Sequence, residues 1–311
     1  MHPAIKLSPD CVPSRKRAIL NRPCVAKNTL RRAVHFIPEL IVVRLLRCAL
    51  AVTYALLSSA QIHAQMAAAE TPEANPGRPT VSTPATLTPV GYLQFENGGL
   101  YAANSSEFAT QLGINQVTRL TIAPQLQLLA LSEPFTYTNG VTGGELSETL
   151  PGDVLGGLQV VVMPGEGHRP TVSLSYIRTL YSGPAPNTDI GSFRQSALVL
   201  LSNDWGSFHF DMNGIFSEQA DGKIRRGQFG QTLSVSHPLG PFTVAGELWH
   251  FTQPLTAGNA VGSLWALSYA VRKNLVVDAG FDRGLTSSST QYEGFAGFTY
   301  LLPYRLWKSH K

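Results

Sequence analysis

Of 311 residues, 43% are hydrophobic and only 14% charged, against the ~25% charge of an ordinary soluble domain; such a chain either keeps its water-exposed area small or faces lipid. The formal charge of +4 does not point to nucleic acid, because ten Lys and Arg but two acidic residues lie in 1–64, leaving 14 basic against 18 acidic residues from 65 onward. Cys11, Cys24 and Cys48 all fall in that leading stretch, so the remainder has no disulfide, thiolate metal site or cysteine nucleophile.

Within the leader, Arg44 and Arg47 precede an apolar run from Cys48 to Leu57, and Ile62-His63-Ala64 supplies small residues ahead of Gln65. This order reads as a secretory signal ending at Ala64. The apolar run is too short to anchor the chain in a bilayer. The stretch ahead of it is longer than a usual signal start, so residues 1–41 read as lying upstream of the true start; a mitochondrial-type presequence, Arg-rich and acid-poor, is the competing reading. Residues 65–89, rich in Ala, Thr and Pro (Pro72, Pro76, Pro79, Pro84, Pro89), read as a disordered, partly extended tether without a packed core.

From Val90 to the end at 311 the pattern predicts strands and no helix. Twelve are expected, at 91–101, 107–114, 117–131, 154–163, 170–181, 192–202, 207–217, 227–237, 241–252, 262–272, 274–283 and 291–302. Most approach the ~9–11 residues that a tilted strand needs to cross a bilayer, and several exceed the ~5–6 residues common in soluble sheets. Connections alternate between long (102–106, 132–153, 182–191, 218–226, 253–261, 284–290) and mostly tighter (115–116, 164–169, 203–206, 238–240, 273). Long loops at one end and short turns at the other predict an all-β, antiparallel transmembrane β-barrel with short periplasmic turns and longer extracellular loops. An even strand count places both termini in the periplasm.

Side-chain alternation is clearest over 208–216. Phe208, Phe210, Met212, Gly214 and Phe216 share one face and His209, Asp211 and Asn213 the other, with Ile215 breaking the pattern. A soluble sandwich gives the same alternation with the apolar face turned inward; in a barrel the polar face lines the lumen. The expected lumen-lining set is His209, Asp211, Asn213, Glu247, Asp278, Asp282, Gln125 and Gln127. It serves either as the polar wall of a passage or as groups that hydrogen-bond across a narrow barrel and plug it. Strand 192–202 is apolar on both faces after Ala197, Phe295 points inward by parity, Arg178 falls on the apolar face near the outer rim, and Pro124 sits uneasily in a paired strand. Aromatic girdles are expected from Trp205, Tyr300, Tyr304 and Trp307 at one end and Tyr181, Trp249, Trp265 and Tyr292 at the other.

Gly152-Asp153-Val154-Leu155-Gly156 opens a strand after a long loop, and Arg283-Gly284-Leu285-Thr286 and Phe295-Ala296-Gly297-Phe298-Thr299-Tyr300 close the barrel. In their order and spacing these residues resemble the outer-membrane barrel family of the meta-pathway of phenol degradation, from about 152 to 307. The resemblance implies a transporter-like barrel in the outer membrane of a Gram-negative-type bacterium and passage of small organic compounds. Unlike many barrels that stop at an aromatic residue, the chain continues from Pro303 to Lys311, where the barrel-assembly machinery would read its end. The functional expectation is a passive channel for small hydrophobic or aromatic molecules, a non-enzyme without cofactor or metal whose partners are outer-membrane lipids, the solute and the assembly machinery. The alternatives are a structural or surface-interaction barrel with a plugged lumen, and an outer-membrane lipid hydrolase using His250, for which no serine partner is evident.

Overall fold

A computed structural model of the chain describes residues 72–140, 148–186, 193–221, 224–255, 258–307. The proposed signal and the first part of the tether lie outside the described residues. The elements are β1 (Leu93–Ala103), β2 (Thr110–Ala123), β3 (Leu126–Asn139), β4 (Glu148–Leu150), β5 (Val154–Met163), β6 (Thr171–Tyr181), β7 (Phe193–Trp205), β8 (Phe208–Asp221), β9 (Ile224–Leu239), β10 (Phe242–Thr252), β11 (Asn259–Arg272), β12 (Leu275–Gly284) and β13 (Tyr292–Leu301). Their Val, Ile, Leu, Thr and aromatic residues suit a pleated surface, and their period-two alternation gives each strand two unlike faces.

Each strand pairs antiparallel with its neighbour, β3 bridging directly to β5 while the three-residue β4 extends one edge of β3. β1 pairs on one side with β2 and on the other with β13, in register from Gln94↔Leu301 to Ala103↔Tyr292. That pairing closes twelve strands into an all-β antiparallel barrel and removes both sheet edges. The sequence therefore gives the count and the closure correctly.

One predicted hairpin is misplaced. Asn115 and Gln116 lie inside β2 beside a register shift, and the chain reverses at Pro124-Gln125 instead. Proline fixes φ and lacks an N–H, so it suits a turn and resists a ladder. Because the true turn takes two residues, side-chain parity on either side is unchanged. The 218–226 loop is also overestimated: β8 and β9 stay paired out to Asp221↔Ile224.

The polarity of the wall is inverted relative to a soluble protein. Phe216, Leu248 and Phe281 are 49%, 58% and 56% exposed on the outside, whereas Gln94, Gln127 and Gln159 are fully buried inside. Ile215 and the two-faced apolar β7 have a shared explanation. Leu198 and Leu200 point inward and, with Ile177 and Ile215, pack on Ala85.

Candidate functional site: the lumen and its inner belt

The largest departure from expectation concerns the tether. From 72 onward it is not a chain without contacts: it lies against the inner wall at the short-turn half of the barrel. The backbone of Asn75 exchanges two hydrogen bonds with the Gln94 side chain on β1, N–H to Oε1 at 2.9 Å and Nε2 to the carbonyl at 2.6 Å. Gly77 N donates to Glu96 Oε1 at 3.1 Å, and Arg78 reaches Asp278 on β12 at 3.2 Å. Val81 and Ser82 amides donate to the two Glu247 oxygens on β10, each at 2.7 Å. Ser82 Oγ lies 2.5 Å from Glu247 Oε1 and 2.7 Å from Thr232 Oγ1 on β9.

The circuit continues in the same sense. Thr83 exchanges two bonds with the Asn213 side chain on β8, at 2.6 and 2.9 Å. Ala85 N donates to Ser202 Oγ on β7 at 2.7 Å, and its carbonyl accepts from Ser173 on β6 at 2.5 Å and from Gln159 on β5 at 3.2 Å. Thr88 N and Oγ1 both donate to Gln127 Oε1 on β3 at 3.0 Å, and Thr88 Oγ1 also lies 2.8 Å from Thr121 Oγ1 on β2. Gly91 N then bonds the Thr121 carbonyl and the chain enters β1. Residues 75–91 thus pass the wall strands in descending order and return to the strand where they began.

Composition explains why this segment can do so. A proline-rich chain favours the extended polyproline II form, which has no internal hydrogen bonds and leaves its amides free. Pro76, Pro79, Pro84 and Pro89 have no N–H to satisfy, while the amides of 75, 77, 81, 82, 83, 85 and 88 are each taken up by a wall side chain. Length also fits. Twelve strands ~4.8 Å apart, tilted by ~40°, make a wall about 75 Å round, and a path roughly 5 Å inside it is about 45 Å. The segment from 75 to 88 at ~3.1 Å per residue spans about 40 Å. One turn is what the geometry admits.

Inward glycines seat the belt. A Cβ on Gly98 or Gly297 would meet the Arg78 guanidinium at 2.3 and 2.8 Å, and one on Gly77 would meet Arg119 Nη2 at 1.8 Å. Arg78 therefore lies in a cradle between β1 and β13 on its way to Asp278, and Gly77 rests on the Arg119–Glu96 ion pair, 2.8 Å across.

Of the expected lumen set, Asp211, Asn213, Glu247, Asp278, Asp282 and Gln127 are buried on the inner face. Asn213, Glu247, Asp278 and Gln127 hold the belt. Gln125 is corrected: it sits exposed in the turn after Pro124, not in the lumen. His209 faces inward at the short-turn rim between Asp204 Oδ1, 2.7 Å away, and Asp211 Oδ1, 3.2 Å away. It borders a cavity of about 200 Å³ that Thr86, Glu166 and Arg169 also line. Among the described residues no group of three or more His, Cys, Asp or Glu is arranged to hold a metal ion.

Trp249, expected in an aromatic girdle, is buried inside and donates Nε1 to Asp282 Oδ2 at 2.6 Å. Gly262 makes its room, since a Cβ there would lie 2.1 Å from the indole. With Phe251 and Ala260 it forms an inner apolar cluster that touches Val81 of the belt and Ile215. Trp249→Phe should leave the Asp282 carboxylate without its donor and cost about 1–3 kcal/mol, read as a lower unfolding midpoint of the barrel in detergent, while Phe251→Tyr tests the neighbouring position without touching that bond. His250 faces outward opposite Gln231 and Val261, and among the described residues no serine hydrogen-bonds to it. The belt itself was the missed site. Its signal was the spacing of prolines between residues whose amides need partners, in a segment adjoining a wall rich in inward Gln, Glu and Asn.

No family model matches the chain, and no curated protein does. Among solved structures, the chain is similar to the NanC porin (11% identity, 67% of this chain and 98% of that chain, TM-score 0.47) and the KdgM porin (10% identity, 67% and 98%, TM-score 0.44). It is also similar to the CymD monoaromatic hydrocarbon channel, at 8% identity, 70% and 90% coverage and a TM-score of 0.42.

Proposed function

We propose that the chain is an outer-membrane β-barrel that passes small molecules through a lumen narrowed at its periplasmic half by its own N-terminal belt. The observation that carries this reading is the inverted wall: an apolar outer surface suited to hydrocarbon surrounds an enclosed, polar-lined interior. On this reading the short turns face the periplasm, the loops face outward, and a cleaved signal delivers the chain, with lipids and the assembly machinery as its partners. Apolar groups inside, Ile177, Ile215, Trp249 and Phe251, interrupt the polar wall and favour small hydrophobic or aromatic solutes, in keeping with the meta-pathway resemblance. No acyl transfer or other catalysis is assigned to the chain.

A second reading, a structural or surface-interaction barrel with a filled lumen, draws on one specific observation: the wall side chains at the level of the belt are almost wholly covered. Flux separates the two. The full chain in liposomes should admit a small aromatic solute that does not cross a bare bilayer, such as benzenesulfonate, and a chain lacking 72–89 should admit it and ions several-fold faster. A silent full chain beside a conducting shortened one supports the plugged barrel, and silence of both overturns the conduit.

A further inference from the structure

The outer wall carries a feature that solute passage does not use. Across β5 to β9 an apolar groove of about 680 Å³ opens outward, walled by Leu158, Leu174, Tyr176, Val199, Phe216 and Phe229. Its floor is low because Ala197 and Gly214 bring almost no side chain to it, and a Cβ added at Gly214 meets nothing within 4 Å. Leu158 to Val162 run about 13 Å along β5, and the four strand spacings from β5 to β9 add about 19 Å across the wall, so the groove is a broad apolar trough on the face turned to a surrounding bilayer.

One pleat step toward the long-loop end, the same outer face turns polar. The register places Arg178 beside Gln195, Gln195 beside Glu218 and Glu218 beside Gly227, directly above the row Tyr176, Ala197, Phe216 and Phe229. Tyr176 Oη donates to Gln195 Oε1 at 2.9 Å, Gln195 Nε2 to Glu218 Oε2 at 2.7 Å, and Arg225 Nη1 to Glu218 Oε1 at 3.2 Å. Arg178 is exposed, and among the described residues no carboxylate forms an ion pair with it. Arg226 pairs with Gln219 on the inward parity of the wall, so the cations of the outer face are Arg178 and Arg225. Glu218 answers part of the charge of Arg225, so the row is cationic.

An apolar trough on a bilayer-facing wall, bordered by guanidinium groups, complements one kind of molecule. We propose that this face binds an anionic membrane lipid, with an acyl chain in the groove and the headgroup phosphate on Arg178 and Arg225. Guanidinium recognises phosphate through paired, charge-assisted hydrogen bonds, and these are strengthened at the edge of the hydrocarbon, where the effective dielectric constant is lower than in water. The Tyr176–Gln195–Glu218–Arg225 chain fixes the row so that the phosphate meets a formed site. The inference rests on the barrel being embedded in a membrane.

The test is native mass spectrometry of the full chain in detergent, with dioleoylphosphatidylglycerol or with dioleoylglycerol, which keeps the chains and lacks the phosphate. The phosphorylated lipid should stay bound and the neutral one should not. Arg178→Gln with Arg225→Gln should lower affinity about a hundredfold, the worth of two charge-assisted contacts at about tenfold each, and Gly214→Leu should lower it by filling the groove. Equal retention of both lipids, or unchanged binding by both variants, overturns the site. Heat-modifiable gel mobility of each protein reports separately on the folded barrel: folded variants that bind no less refute the lipid site alone, whereas a wild-type chain that never enters liposomes refutes the membrane reading beneath it.

Discussion

Glu247→Ala should release the middle of the belt while leaving the barrel closed. The Glu247 carboxylate accepts from the amides of Val81 and Ser82 and lies against the Ser82 hydroxyl, all within 2.7 Å. Removing it strands the two amides in a covered site, while the Ser82 hydroxyl keeps Thr232 Oγ1 as an acceptor, and at about 1–2 kcal/mol for each donor left unmade the local cost is roughly 2–4 kcal/mol. Hydrogen exchange at 81–83 should then quicken by about thirty- to a thousandfold. The amides of β10 to β12, which bond within the sheet, should exchange as before. Glu247→Gln keeps one acceptor oxygen and should fall between. If 81–83 exchange no faster in the alanine variant, the belt is not held by this carboxylate.

Gly98→Val should have a comparable effect at a different place. Its new side chain enters the cradle where the Arg78 guanidinium lies, 2.3 Å from the built Cβ, and meets no backbone atom among its nearest neighbours. Expelled, Arg78 abandons Asp278, whose side chain is only 2% exposed. A buried carboxylate deprived of its partner costs about 3–5 kcal/mol. The contrast with Arg78→Ala makes the mechanism testable: once the arginine is gone the valine has nothing to displace, so the two substitutions should be strongly non-additive in unfolding midpoint. Additive losses would mean that Gly98 matters to the strand and not to the cradle.

Much of the barrel was legible because alternation is a local property. Over Phe208 to Phe216 each residue faces the side its parity assigns, and long strands with unequal connections imply closure across a bilayer. Errors arose where alternation carries no information. A two-residue turn preserves parity, so moving it from 115–116 to 124–125 changes nothing on either flank, and only Pro124 marked the true position. Trp249 faces inward by the same parity as Glu247; the expectation of a girdle residue put aromatic character above register, and the space left by Gly262 became visible only across the β10–β11 pair. The belt escaped for another reason. Extended proline-rich chain has no period and no amphipathic face, and its partners are Gln94, Gln127, Asn213 and Glu247, scattered over more than 150 residues of sequence. Only the closed ring of strands brings them to one level.

The single turn made by 75–88 acts as a hoop inside a cask. Its contour and the number of staves are matched, each residue's reach being spent on the next strand inward. Lengthening would slacken the hoop and shortening would leave strands unreached, so this stretch should tolerate changes of residue type on its free side far better than changes of length. The connection 164–170, bound by no such match, can grow or shrink without disturbing the ring. A compositionally simple stretch of Ala, Thr and Pro thereby becomes the part of the molecule that gauges the barrel's girth.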